Sequence, residues 1–146
     1  MSNASEVRLG GKLEKQKDLE KKTVKEWIKY IQEKIRNNSD YDSVYEEYKI
    51  FLENKLKEKP KNVEVVCQLA AVYNELTYQW EDIYKLLNEF IKKYENELTD
   101  EEKSRIYTNL GYYYDDQRDG SKRAIRTLRK AVAFNPNNSK AYYGLG

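Results

Sequence analysis

The sequence predicts an all-α chain of antiparallel helix pairs stacked one on the next, and three observations carry that prediction. Every apolar periodicity in it follows the i, i+3, i+4, i+7 rule of a helix, and none alternates as a strand would. Of the 146 residues only 39% are hydrophobic and 36% are charged. That balance suits elements that each bury one stripe and leave the rest wet better than it suits a single compact core. Lastly, Ser104-Arg-Ile-Tyr-Thr-Asn-Leu-Gly111 returns in register as Ser139-Lys-Ala-Tyr-Tyr-Gly-Leu-Gly146, 35 residues later.

Residues 1–11 are set apart: Met1-Ser-Asn-Ala reads as a leader added for expression and Gly10-Gly11 as a break, so the helical domain is taken as 12–146. Lys12 to Lys22 is almost all charge, a solvated or fraying extension at the start of the first helix. Val24, Trp27, Ile28, Ile31 and Ile35 form the stripe of that helix, which ends near Asn37-Asn38. Ser39 or Asp40 caps a second, whose stripe is Tyr41, Val44, Tyr45, Tyr48, Phe51, Leu52 and Leu56, with Pro60 after its end. The third begins after Asn62 and carries Val66, Leu69, Ala70 and Tyr73. The fourth, from about Glu81, buries Ile83, Leu86, Leu87, Phe90, Ile91 and Tyr94. Thr99-Asp-Glu-Glu102 is a capping box opening the fifth. A sixth starts after Asp119-Gly120 and stops near Phe134, because Pro136 lacks an N–H and clashes with a continuing helix. Residues 139–146 open a seventh.

Tyr107, Leu110, Gly111 and Tyr114, then Ala124, Leu128 and Ala131, closed by Pro136, form an ordered motif. Gly111 in a helix interior costs about 1 kcal/mol relative to Ala, which close approach of a second helix at Ala124 would offset. The pattern resembles the tetratricopeptide repeat. The resemblance covers most of residues 24–146 and is strongest after residue 104, with repeat onsets near 25, 63, 104 and 139. It implies a right-handed superhelix, an α-solenoid of about three helix pairs plus a short terminal helix, that binds a protein or peptide segment in a concave groove.

Carried over residue by residue, the resemblance puts Arg105, Thr108, Asn109, Tyr112, Asp115, Asp116, Lys140 and Tyr143 on the groove face. An aromatic body with a polar tip suits a peptide, whose backbone Asn109 can bond and whose charged groups Arg105 or Lys140 can pair. It also implies that Tyr41, Tyr48, Tyr73, Tyr107, Tyr114 and Tyr142 are packed between helices. One branch of the family grips a C-terminal carboxylate with Lys, Asn and Arg. Here the matching positions hold Lys29, Glu33, Gln68, Arg105 and Asn109 counted from the first repeat, or Cys67, Ala71, Asn109, Lys140 and Gly144 counted from the second, so that clamp is incomplete in either register and is rejected.

Net charge is +2, from 27 basic and 25 acidic residues that read as well mixed, so no basic stripe favours nucleic acid or a membrane. There is no run of about 18 apolar residues and no secretory signal, and a cytoplasmic location is expected. The lone Cys67 agrees, read as a small packing residue rather than a reactive thiol. The chain has no His, the commonest general base and metal ligand, no phosphate-cradling glycine loop and no zinc-ligand spacing. Asp115-Asp116, and Asp40 with Asp42, read as helix-end charge and capping. Neither enzymatic activity nor a cofactor is expected. Two alternatives to an interaction module stay open. One is a regulatory or scaffold segment of a larger enzyme or transcription regulator, since the sequence stops eight residues into a new repeat. The other is a dedicated protein inhibitor of the immunity type. So short a seventh helix is expected to leave Ile125, Leu128 and Val132 incompletely covered, giving weak self-association through residues 121–146.

Overall fold

Helix starts set the architecture. The side chains of Thr23, Asn62, Thr99 and Asn138 each accept a hydrogen bond from the backbone N–H three residues on, at 3.1, 3.1, 3.2 and 3.2 Å. Each satisfies one of the donors that a helix N-terminus leaves without an intrahelical partner. In Thr23 and Thr99 the cap is reciprocal, with Glu26 and Glu102 accepting from the cap residue's own N–H at 3.4 and 3.0 Å. These four caps fall 39, 37 and 39 residues apart, a more even period than the motif alone indicates. The third onset lies at Thr99, ahead of the expected position near 104, because the motif begins one turn inside its helix.

The computed structural model describes residues 21–37, 40–76, 80–115 and 120–146. They form α1 (Val24–Arg36), α2 (Tyr41–Glu58), α3 (Val63–Glu75), α4 (Trp80–Tyr94), α5 (Asp100–Asp115), α6 (Ser121–Phe134) and α7 (Ser139–Leu145), with a 3-10 turn at Glu95–Glu97. Among the described residues there is no strand, and the elements they form are all helical. Expectations for residues 1–20, Asn38, Ser39, Asp116 and Asp119 concern positions outside those described.

The chain divides into two compact units, residues 1–51 and 52–146. In the first, Trp27 is 1% exposed and its ring stacks on Tyr48 at 5.4 Å and lies against Phe51 at 5.3 Å. Aromatic pairs of this kind add about 0.5–1.5 kcal/mol to their burial. Ile31 and Val44 complete the apolar centre. Two stripe residues depart from expectation: Ile35 and Tyr41 are exposed, the Tyr41 hydroxyl donating to the Ile35 carbonyl at 3.5 Å. Both sit where α1 gives way to α2, beyond the stretch over which two helices can overlap.

In the second unit, Val66, Cys67 and Ala70 of α3, Ile83, Leu87, Phe90 and Ile91 of α4, and Ile106, Tyr107 and Leu110 of α5 share one core with Ala131 of α6 and Ala141 of α7. Helices α5 and α6 run antiparallel. Ser104 bonds the Ala131 carbonyl at 2.7 Å, Tyr107 stacks on Phe134 at 5.8 Å, and Gly111 faces Leu128. A Cβ at position 111 would lie 2.7 Å from Leu128 Cγ and 3.5 Å from the Ala124 carbonyl oxygen. The close approach predicted at Gly111 is therefore present, with the Leu128 side chain rather than the Ala124 methyl filling it. Gly144 of α7 closes the other side, where a Cβ would lie 2.9 Å from Leu128 Cδ1.

Leu128 is 1% exposed, which corrects the expectation that α7 leaves it uncovered. Ile125 remains partly open and Val132 half-buried. Tyr142 is also a correction: it is 49% exposed instead of packed, since no further described element lies beside it.

Candidate functional site

The start of α7 is pinned to α5 by a buried polar cluster. The Ser104 hydroxyl donates to the Ala131 carbonyl, and the Thr108 hydroxyl donates to the Ser104 carbonyl, both at 2.7 Å. Asn138 Nδ2 donates to both hydroxyl oxygens, at 2.8 and 3.0 Å, while its Oδ1 caps α7. Every polar group in the cluster thus has a partner, which is what makes its burial tolerable. Thr108 is 4% exposed. Its assignment to the groove face is corrected: it belongs to the interior and has no free donor to offer.

Arg105, Asn109 and Tyr112 are spaced i, i+4, i+7 and share one side of α5. Arg105 forms an ion pair with Glu64 of α3. The two border an open depression of about 510 Å³ between the Lys59–Glu64 turn and Glu102 of α5. Asn109 is half-buried and donates to the Arg105 carbonyl at 3.0 Å. The Tyr112 hydroxyl reaches α7 and donates to the Lys140 carbonyl at 2.6 Å. Lys140 and Tyr143, three apart on α7, share a face, and Tyr143 is 84% exposed. The structure thus joins Tyr112 to the α7 residues and joins Arg105 to α3. Asp115 is exposed at the end of α5, and Asp116 is outside the described residues.

Two groups that carry potential chemistry are held inert. Burial pushes the Cys67 thiol up to about 12, far outweighing the opposing pull of Arg105, so the nucleophilic thiolate is not populated near neutrality. Burial, then a 2.7 Å hydrogen bond to Glu95, raises the Tyr107 hydroxyl well above its ordinary value. Among the described residues no group of three or more Cys, Asp or Glu converges as a metal site, and no helix is long and apolar enough to cross a membrane.

The even mixing of charge read from the whole chain does not hold on α6. Residues 121–146 contain Lys122, Arg123, Arg126, Arg129, Lys130 and Lys140 and no Asp or Glu. The five on α6 are all exposed, and none forms an ion pair with another described residue. Arg123 lies over the Tyr114 ring at 5.9 Å and Lys130 over the Tyr107 ring at 5.4 Å.

Sequence reasoning missed this basic face because it weighed total charge, and it missed Asn138 because it followed the aromatic motif. Both had a signal: an acid-free run of 26 residues, and Pro60-Lys-Asn62 recurring as Pro136-Asn-Asn138. No protein-family model matches the chain, and no curated protein does.

Proposed function

We propose that the chain is a protein-interaction module, with α3 to α7 forming a right-handed superhelical stack of the tetratricopeptide type that receives a peptide or protein segment along its first helices. The observation that carries this reading is the direct packing of successive first helices, α3 on α5 and α5 on α7. Side chains on their shared side then make one continuous surface, with Arg105, Asn109, Tyr112, Lys140 and Tyr143 at intervals along it. Tyr143, an aromatic left in water at the end of that row, is the kind of side chain that anchors a partner's apolar residue. Arg105 can exchange its pairing with Glu64 for a ligand carboxylate. The work is binding rather than catalysis.

The test is capture of partners from the source cell by the wild-type chain, by Tyr143→Ala with Arg105→Ala, and by Lys92→Glu with Lys93→Glu, two exposed cations on α4. A partner retained by the α4 variant and lost by the groove variant, with helicity unchanged, supports the reading. A partner lost equally by both, or by neither, refutes it.

A further inference from the structure

Helix α6 departs at its N-terminus from the charge order of the other long helices. Acidic residues occupy the first turn of α1, α2, α3, α4 and α5, and basic residues the last turn of α1, α2 and α4. That arrangement complements the helix dipole, positive at the N-terminus and negative at the C-terminus. In α6 the first turn carries Lys122 and Arg123 with no acid, the last turn has no basic residue, and Gly120 offers no side-chain cap. Cations so placed oppose the stability of their own helix: Arg123 is partly offset by the Tyr114 ring it lies over, and Lys122 is outside the packed side of α6. Its buried side is Ala124, Thr127, Leu128 and Ala131.

Lys122, Arg126 and Arg129 recur at i, i+4, i+7 and form a stripe about 10 Å long at 1.5 Å per residue. Ile125, 39% exposed, flanks it, as does half-buried Val132 one helical edge away. We infer that this face of α6 is a second docking surface, and that its occupant is an acidic amphipathic helix of another protein, carboxylates against Lys122, Arg126 and Arg129 and an apolar side chain against Ile125. Guanidinium forks match carboxylates two bonds at a time, and the i, i+4, i+7 spacing of the stripe is the spacing a partner helix presents.

The alternatives fit less well. A nucleic acid needs a longer track of phosphate contacts than two turns of one helix supply. The apolar flank at Ile125 has no counterpart in a phosphate backbone. This surface is separate from the first-helix row and stands whether or not that row binds a peptide.

The experiment is fluorescence anisotropy with a labelled helical peptide carrying Glu at i, i+4 and i+7 and Leu at i+3, and with its Glu→Gln counterpart. Arg126→Glu with Arg129→Glu is expected to weaken binding of the Glu peptide by at least about tenfold, and the neutral pair Arg126→Gln with Arg129→Gln by less. The Gln peptide is expected to bind about as poorly to the wild type as the Glu peptide binds to the charge-reversed variant. Lys92→Glu with Lys93→Glu is the control and should leave affinity unchanged. The inference is overturned if the wild type does not bind the Glu peptide at low salt, or if the α4 control weakens it as much as the α6 variant. It is equally overturned if single-stranded oligonucleotide or phosphatidylserine vesicles bind the stripe more tightly than the peptide, or if sedimentation shows that Arg126 and Arg129 hold two copies of this chain together.

Discussion

Replacing Gly111 by Ala sets two effects of known sign against each other, and the geometry decides between them. Ala is favoured over Gly in a helix interior by about 1 kcal/mol. The new Cβ, however, would stand 2.7 Å from Leu128 Cγ and 2.8 Å from Cδ2, where carbon pairs are comfortable at about 3.5–4.0 Å. Roughly 1 Å must be absorbed, and Cγ is not the free end of its side chain. Leu128 cannot simply swing away, because the α7 backbone at Gly144 closes its other side. Overpacking of this kind costs about 1–3 kcal/mol, so Gly111→Ala should be destabilising by about 1 kcal/mol net, and Gly111→Leu by several.

A double-mutant cycle isolates the contact. Leu128→Ala alone removes a buried side chain and should cost about 2–5 kcal/mol. In that background the methyl at position 111 enters the vacated space, and only the propensity gain remains. Gly111→Ala should then be stabilising by about 1 kcal/mol, a coupling of about 2 kcal/mol between the sites. Urea denaturation followed by far-ultraviolet circular dichroism measures all four corners. If Gly111→Ala has the same effect in both backgrounds, Leu128 does not rest on Gly111 and the α5–α6 register is wrong.

Other substitutions probe the remaining elements. Asn138→Ala removes the α7 cap and the donor to Ser104 and Thr108, and should lower stability by about 2 kcal/mol in thermal melts. Asn138→Asp, which keeps the cap but loses the donor, should differ measurably from wild type. The thiol of Cys67 is raised from 9.0 to about 12 in the folded chain; the unfolded chain therefore releases its proton first as pH rises. This contribution to stability is complete below pH 9 and falls by up to about 1.4 kcal/mol per unit above it. Urea midpoints should fall less steeply with pH in Cys67→Ala than in the wild type, the difference opening from pH 9, because the raised Tyr107 hydroxyl adds the same sign of slope to both above pH 10. Lys122→Glu places an acid in the first turn of α6 and should raise stability by about 0.3–1 kcal/mol, while weakening the acidic peptide. A drop in melting temperature would mean that Lys122 has a structural role.

How far the sequence alone could be read depended on which distance scale an element belongs to. Helix identity is local, and the i, i+3, i+4 stripes placed the seven helices of the described residues. Gly111 was legible because a glycine inside a helix demands a close neighbour, but not which neighbour. Ala124 and Leu128 lie one turn apart on α6, and only the three-dimensional approach selects the Leu128 side chain. Tyr41 and Tyr142 fit their helical stripes and are nevertheless exposed. Periodicity assigns a face along a helix and says nothing of where the neighbouring helix stops. Thr108 was misplaced for a different reason: the residue that buries it, Asn138, arrives from a turn 30 positions away. The basic face of α6 was hidden by averaging, since acids elsewhere in the chain cancel it in the total.

Tyr112 shows why stability and recognition have to be separated by choosing the right side chain. Its hydroxyl holds the Lys140 carbonyl, and its ring lies 3.3 Å from where a Cβ on Gly144 would stand. The ring therefore helps seat α7, and α7 in turn seals Leu128 against Gly111. Truncating Tyr112 would loosen that chain of contacts and lower any binding that depends on the position of α7, whether or not the ring touches a ligand. Tyr143 carries no such ambiguity, being 84% exposed on the same short helix as Lys140. Burial that a folded chain gains from so exposed an aromatic is small, so its removal costs the isolated protein little. What it does cost must appear in a complex, and for that reason the proposed binding row is best judged at Tyr143 and Arg105, with Tyr112 kept as a probe of how α7 is seated.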